Sequence, residues 1–230
     1  MNNKTDIFFD LDNTLWDFEA NAKAALAILF DKYNLAAFLH TSREEFIKAY
    51  RAVSHQLWAK VNTNEISLME IKYSKLKLTF EVFGKTLATD PMAFEDEYVE
   101  LCSLGKILMP NAAEILAYLS PKYNLHIITN GFENGTALKM QHELFQKYIK
   151  TVTNSEEVGA AKPNPAIFEY ALAKAKVEKE NAIMIGDNLI ADIQGARAFG
   201  LDCIFFDIYE EKALPNVPII KDLSDLKNLL

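Results

Sequence analysis

The chain has 230 residues and is half hydrophobic, with 32 acidic against 24 basic side chains and a net charge of -8. That length suits one large domain or a core with an insert, and the acid excess disfavours a nucleic-acid polymer, whose affinity rests on Lys and Arg neutralising phosphates. A single small phosphate compound remains compatible with it. No apolar run approaches the roughly 20 residues of a membrane span, and the start Met1-Asn2-Asn3-Lys4-Thr5-Asp6 lacks a signal-peptide apolar stretch. Cys102 and Cys203 lie far apart without metal-ligand spacing, so reduced cysteines in the cytoplasm are expected.

The first predicted element is a strand over Ile7-Phe8-Phe9, running into Asp10-Leu11-Asp12-Asn13-Thr14-Leu15. Two carboxylates one residue apart repel each other, and Asp has low strand propensity. Such a strand end points to a cation or a reacting phosphorus beyond its tip, where ligands of open parallel sheets sit. If the strand persists, the two-residue spacing aims both side chains to one side. An Asx-type turn accounts for the same tetrapeptide without any ligand.

From residue 16 to about 105 the periodicity is helical. Phe46, Tyr50, Val53 and Leu57 form one stripe, and Met69, Tyr73, Leu76, Phe80 and Phe83 another. Gly84 ends the second helix, and Asp90-Pro91 opens the next as N-cap and first residue. Trp16, Trp58, Tyr73 and Phe94 could stack on a base or simply pack between helices.

From Pro110 onward strands alternate with helices, with strands near 125–129, 151–153, 182–187 and 202–206. They lack in/out alternation, as expected when helices cover both faces of a sheet. The strand at 125–129 ends in Thr129-Asn130-Gly131 ahead of a helix, a turn that can bind an anion through a hydroxyl and backbone N–H groups. Lys162 stands in the rigid loop Ala161-Lys162-Pro163-Asn164-Pro165, and the third strand ends in Gly186-Asp187-Asn188, with Asp192 farther on. Each segment has a bland reading as a turn, a surface lysine or a solvent-facing residue. His126, within an apolar strand, reads as a satisfied core residue, and none of the four histidines is needed for the chemistry inferred below. The fold class is α/β, a Rossmann-like doubly wound parallel sheet core built from 1–15 and 106–230. An inserted all-helical domain at 16–105 leaves the chain just after Asp12, beside the expected site.

In this order the four segments resemble the haloacid dehalogenase superfamily of phosphohydrolases, whose motifs are D-x-D-x-T, a strand-end Thr or Ser, a loop Lys, and G-D-x-x-x-x-D. Asp192-Ile193-Gln194-Gly195-Ala196-Arg197-Ala198-Phe199-Gly200 is similar to the helix that follows the last motif. The resemblance implies hydrolysis of a phosphate monoester through an aspartyl-phosphate, with Asp10 as nucleophile and Asp12 as general acid and base. It implies Mg²⁺ held by Asp10, the carbonyl of Asp12 and Asp187. Thr129 and the amides of Asn130 and Gly131 would bind the phosphate, and Lys162 would contact Asp10 and the phosphate. Asp192 would orient metal waters or Lys162, Asn188 would hold a metal water, and Thr14 would orient Asp12 or cap a helix. The insert would be a helical cap over the substrate, a plain satellite domain being the alternative.

An acid at position 12 argues against a 2-haloacid dehalogenase, whose halide leaves without protonation, and against a phosphonatase. A phosphomutase uses the same two aspartates. Ile128-Thr129-Asn130-Gly131-Phe132 and the Asp-Asn-Thr-Leu-Trp-Asp start are similar to the YjjG-type pyrimidine 5′-nucleotidases. N-acylneuraminate-9-phosphatases share this layout. The expected partner is therefore a small phosphorylated metabolite, a nucleotide or else a sugar phosphate.

Overall fold

The computed structural model describes residues 3–63, 65–210 and 214–230; Met1 and Asn2, which open the core segment 1–15, lie outside them. The chain divides into two compact units, 1–18 with 106–230, and 19–105.

The first unit is built on a six-stranded parallel sheet: β1 (Asp6–Phe9), β2 (Asn124–Thr129), β3 (Ile149–Asn154), β4 (Ala182–Gly186), β5 (Asp202–Phe206) and β6 (Ile219–Ile220). Their spatial order is β3-β2-β1-β4-β5-β6. Phe9 pairs with Ile127 on one side and Ile185 on the other, so β1 sits at the point where the strand order reverses. Ligands of doubly wound sheets bind at that switch point. Ile7 and Phe9 face a core with Ile115, Leu116 and Phe145, whereas Phe8 faces Ile167, Phe168 and Ile193. Burial on both faces explains why the strands read as apolar runs rather than alternating ones. The short β6, after Pro218, has no counterpart among the predicted strands.

The second unit is helical: α1 (Phe18–Lys32, whose first residue belongs to the sheet unit), α2 (Leu35–Leu39), α3 (Arg43–Asn62), α4 (Leu68–Val82) and α5 (Met92–Leu104). Ser42 and Ser67 open α3 and α4 with capping boxes completed by Glu45 and Glu70. Gly84, at φ 67°, follows α4; α5 starts at Met92 with Pro91 as its N-cap, one residue later than expected, and Asp90 Oδ1 accepts the Met92 N–H at 3.0 Å from just outside the helix. Phe46 and Phe94 are fully packed, Tyr73 is half exposed, and Trp16 belongs to the sheet unit. There the Trp16 ring stands 6.2 Å from that of Phe145, which removes it from the aromatics of the helical insert.

The sheet unit is completed by α6 (Ala112–Leu119), α7 (Glu133–Lys139), α8 (Glu143–Tyr148), α9 (Ser155–Val158), α10 (Pro165–Ala175) and α11 (Gly195–Phe199), with a π-turn at Leu189–Gln194 before α11. His126 is 2% exposed and fully bonded, with Asp6 3.0 Å from Nε2 and Thr151 2.8 Å from Nδ1. It is the satisfied core residue its apolar strand suggests.

Candidate active site

Regular pairing stops at Phe9. The Asp10 N–H still reaches the Ile185 carbonyl at 2.8 Å, after which the chain folds back so that Leu15 and Trp16 both donate to the Leu11 carbonyl. Asn13 takes a left-handed conformation at φ 64°, which Asn tolerates better than most residues. Among the described residues its Oδ1 has no partner, so no Asx turn closes on this side chain. Asp12 therefore lies in a tight loop rather than on a persisting strand. Thr14, fully buried, donates from Oγ1 to Asp187 Oδ1 at 3.2 Å. Its partner is the carboxylate after β4, not Asp12, and it caps no helix.

The four strand-end clusters converge at the carboxyl edge of the sheet. Lys162 is 1% exposed and donates to Asp10 Oδ1 at 2.6 Å, Asp192 Oδ1 at 2.6 Å and the Ile128 carbonyl at 2.8 Å. These are all three protons an ammonium carries, so a direct contact from Lys162 to a phosphate requires one of these bonds to be exchanged. Burial works against its charge, but the Asp10 and Asp192 carboxylates outweigh burial and hold the ammonium above its ordinary value. Asp192 accepts the Asn188 N–H at 3.0 Å with its other oxygen. Gly186 makes room for it, since a Cβ there would stand 2.3 Å from Asp192 Oδ2.

Asp10, Asp187 and Asp192 form a buried group whose ligand oxygens lie within 4.8 Å of one another. Burial pushes the Asp10 carboxyl up to about 7, against the opposing pull of Lys162 and with the help of Asp192 and Asp12. Burial, Asp10 and Asp192 likewise raise Asp187 well above its usual range. Asn188 Oδ1 accepts the Ile190 and Ala191 N–H groups and caps the π-turn.

The Thr129 turn is locked from two sides. Asn130 brackets the Lys162 backbone, donating to its carbonyl at 2.9 Å and accepting its N–H at 2.7 Å. Thr129 Oγ1 accepts the Gly131 N–H at 3.0 Å. The Gly131 amide is thus not free for an anion, while the Thr129 hydroxyl keeps its own proton to donate. Asn154, at the end of β3, donates to the Gly131 carbonyl at 2.5 Å and to Thr136 Oγ1 at 3.2 Å. A further residue absent from the sequence reading is Lys139, whose Nζ donates to Asp12 Oδ1 at 2.5 Å. Asn154, which closes β3, and Ser155 after it were a readable signal, being one more polar strand end. Lys139 offered none, since a lysine in the last turn of a helix ordinarily faces solvent.

This arrangement gathers acids, an ammonium and a hydroxyl turn around one strand tip. Residues 7–200 match the family described as haloacid dehalogenase-like hydrolase. The pyrimidine 5′-nucleotidase YjjG of Escherichia coli K12 is 28% identical over 228 residues, 97% of this chain and 96% of that protein. A ribulose-1,5-bisphosphate 5-phosphatase of Halopiger xanaduensis is 30% identical over 209 residues, 90% and 86% of the two chains. The crystal structure of HAD-hydrolase YfnB from Bacillus subtilis, bound to magnesium, superposes with a TM-score of 0.88 at 24% identity, covering 99% of both chains.

Proposed function

The chain belongs to the haloacid dehalogenase-like hydrolases, and we propose that it hydrolyses phosphate monoesters through an aspartyl-phosphate, with a nucleoside 5′-monophosphate as substrate. The observation that carries this reading is the carboxylate at the tip of the central strand: Asp10 sits on Lys162, in a group with Asp187 and Asp192. A carboxylate nucleophile of this kind needs positive charge beside it before it can approach a phosphoryl group.

In the first step Asp10 forms a bond to phosphorus as the ester oxygen leaves, and Asp12 gives that oxygen its proton. Asp12 then takes a proton from a water that attacks the acyl-phosphate, releasing inorganic phosphate and restoring Asp10. The Thr129 hydroxyl donates to a phosphoryl oxygen, and Lys162 compensates the charge of Asp10 through both steps. The donor set fits Mg²⁺, which favours oxygen ligands from one or two carboxylates; the raised Asp10 and Asp187 are carboxylates short of positive charge. Asp10, Asp187 and the Asp12 carbonyl would hold it, and when bound it would neutralise charge between nucleophile and phosphate. We assign Asp192 to Lys162 rather than to the metal, because its oxygens already accept from Lys162 and Asn188. The helical unit is read as the substrate cap. The buried thiols of Cys102 and Cys203, not joined in a disulfide, suit a reducing, cytoplasmic setting.

The nucleotide is favoured by the Thr129-Asn130-Gly131-Phe132 turn and by the relatives named as pyrimidine 5′-nucleotidases. Base stacking on an aromatic ring is worth roughly 1–3 kcal/mol, or about one to two decades in kcat/KM. The test is Mg²⁺-dependent phosphate release from p-nitrophenyl phosphate, nucleoside monophosphates, pentose and triose phosphates and N-acylneuraminate 9-phosphate. A pyrimidine nucleotide should lead. A sugar phosphate turned over tenfold faster than every nucleotide overturns the nucleotidase reading and leaves the phosphatase. Transfer of phosphate between positions of one sugar, without release, makes the protein a mutase.

A further inference from the structure

We infer that Lys139 is a positioning residue for Asp12, fixing which carboxylate oxygen transfers the proton; this rests on the phosphatase reading above. Lys139 closes α7, the helix that follows the Thr129 turn, and its Nζ donates to Asp12 Oδ1 at 2.5 Å. Its side chain is 6% exposed, whereas that of Asp12 is 25% exposed. The ammonium stands 6.0 Å from the centroid of the Trp16 ring and 5.6 Å from that of Phe18, so two aromatic faces of the same unit hold it in place. A buried lysine fixed in this way has lost most of its rotamer freedom and acts as a rigid anchor.

The anchor distinguishes the two oxygens of Asp12. Oδ1 is tied to Lys139, while Oδ2 lies over Gly131, 3.2 Å from where a Cβ on that residue would stand. Gly131 belongs to the turn whose Thr129 hydroxyl is read as a phosphate ligand, so Oδ2 is the oxygen turned toward the reacting group. In the first step Oδ2–H gives its proton to the departing ester oxygen as the P–O bond breaks. The carboxylate left behind keeps its bond to Lys139, and Oδ2 then accepts a proton from the attacking water. Lys139 retains its own protons throughout and touches neither substrate nor phosphate. The resulting division of labour gives each catalytic aspartate its own lysine, Lys162 for Asp10 and Lys139 for Asp12.

The role is tested with Lys139→Met, Lys139→Gln and Lys139→Arg in the full-length protein loaded with Mg²⁺. First-turnover rates are measured by rapid quench for p-nitrophenyl phosphate and for an alkyl phosphate, with thermal melts as the check on folding. An alkyl alcohol needs protonation to leave and an activated phenol needs it far less. Lys139→Met should therefore slow the alkyl ester about tenfold or more and the aryl ester much less, with KM held within about twofold of wild type. Lys139→Arg should recover most of the loss, and Lys139→Gln stands in should the methionine variant fold poorly. Equal losses for the two esters, or full activity in a folded Lys139→Met or Lys139→Gln variant, overturn the inference. If the wild-type protein releases no phosphate from any ester, the phosphatase reading has failed instead.

Discussion

Each unit buries a lysine among acids, and the two clusters balance their charge differently. In the helical unit Lys75 of α4 bonds Glu95 of α5 at 2.9 Å, and Tyr50 of α3 donates to both Glu95 oxygens at 2.8 and 2.9 Å. The Lys75 ammonium also sits 4.7 Å from the Tyr98 ring centroid. One cation meets one anion, neutral hydroxyl and ring groups close the set, and three helices are pinned together. In the sheet unit Lys162 faces Asp10 and Asp192 with Asp187 in the same group, so carboxylates outnumber the ammonium. A balanced buried pair can be explained by structure alone. An unbalanced one is costly unless something else supplies charge, and that marks it as a site for chemistry.

The sharpest way to break this contrast is to remove one member from each cluster. Asp10→Asn is nearly isosteric and removes one of the crowded acids, so the fold and melting temperature should hold or improve. Turnover should fall by roughly 10⁴–10⁶-fold, the scale seen when other enzymes lose a nucleophile. Steady turnover in cleanly purified Asp10→Asn protein sinks the covalent mechanism. Lys75→Met should do the reverse. It strands Glu95, which is fully buried, and should cost roughly 3–5 kcal/mol of stability, read from denaturant unfolding. A Lys75→Met, Glu95→Leu double variant should recover much of that, and activity per folded molecule should change little. A mild Lys75→Met phenotype would mean that the pair is not the pin described.

How the contrast was legible before any coordinates is uneven. Asp10, Thr129 and Asp187 stood out because polar residues at the ends of apolar strands conflict with local propensity, and the parallel sheet gathers such ends on one edge; Lys162, in a loop, stood out only through the family motif it resembles. That strands alternating with helices make a doubly wound parallel sheet was legible from their apolar runs, whereas the spatial order of the strands was not. The partners were not legible. That Thr14 serves Asp187, or that Asn130 clamps the Lys162 backbone, depends on how a tight loop turns in space. The buried cluster of the helical unit was hidden for another reason: Lys75, Glu95 and Tyr50 look like ordinary members of amphipathic helices until three stripes are brought together. Short β6 carried too little pattern to separate it from a loop.

The charge imbalance should also appear as a pH dependence of the metal-free protein. Burial pushes the folded Asp10 carboxyl up to about 7, well above the ordinary carboxylate range of the unfolded chain at about 4. Between these values the native state keeps a proton that the unfolded chain has lost, so this group's contribution to stability falls as pH rises through that window. Asp187, also raised, adds in the same direction. Chelator-treated protein should therefore lose melting temperature from about pH 4 to 7 at this site. Because Mg²⁺ binding favours the ionised form, added Mg²⁺ should stabilise more at pH 8 than at pH 5. A Mg²⁺-induced shift in melting temperature that is equal at both pH values would argue against a site short of positive charge. Asp10→Asn should flatten the profile.

The smallest expected effect sharpens the same point at a single hydrogen bond. Thr14 Oγ1 reaches Asp187 Oδ1 at 3.2 Å from a fully buried position. Replacing it with Val keeps the shape and removes the donor, so packing should survive and the melting temperature should move little. What changes is the aim of Asp187, which loses the bond that fixes its orientation and partly favours its ionised form. A bond of this length is worth roughly 0.5–1.5 kcal/mol, so the Mg²⁺ concentration for half-maximal activity should rise by up to about tenfold. The KM for substrate at saturating Mg²⁺ should stay near wild type, because Thr14 is buried behind Asp187's bonded oxygen rather than placed on the phosphate. An unchanged Mg²⁺ requirement in Thr14→Val would show that the loop after Asp12 does not orient the β4 carboxylate. A raised substrate KM with an unchanged Mg²⁺ requirement would move Thr14 from the metal side of the site to the phosphate side.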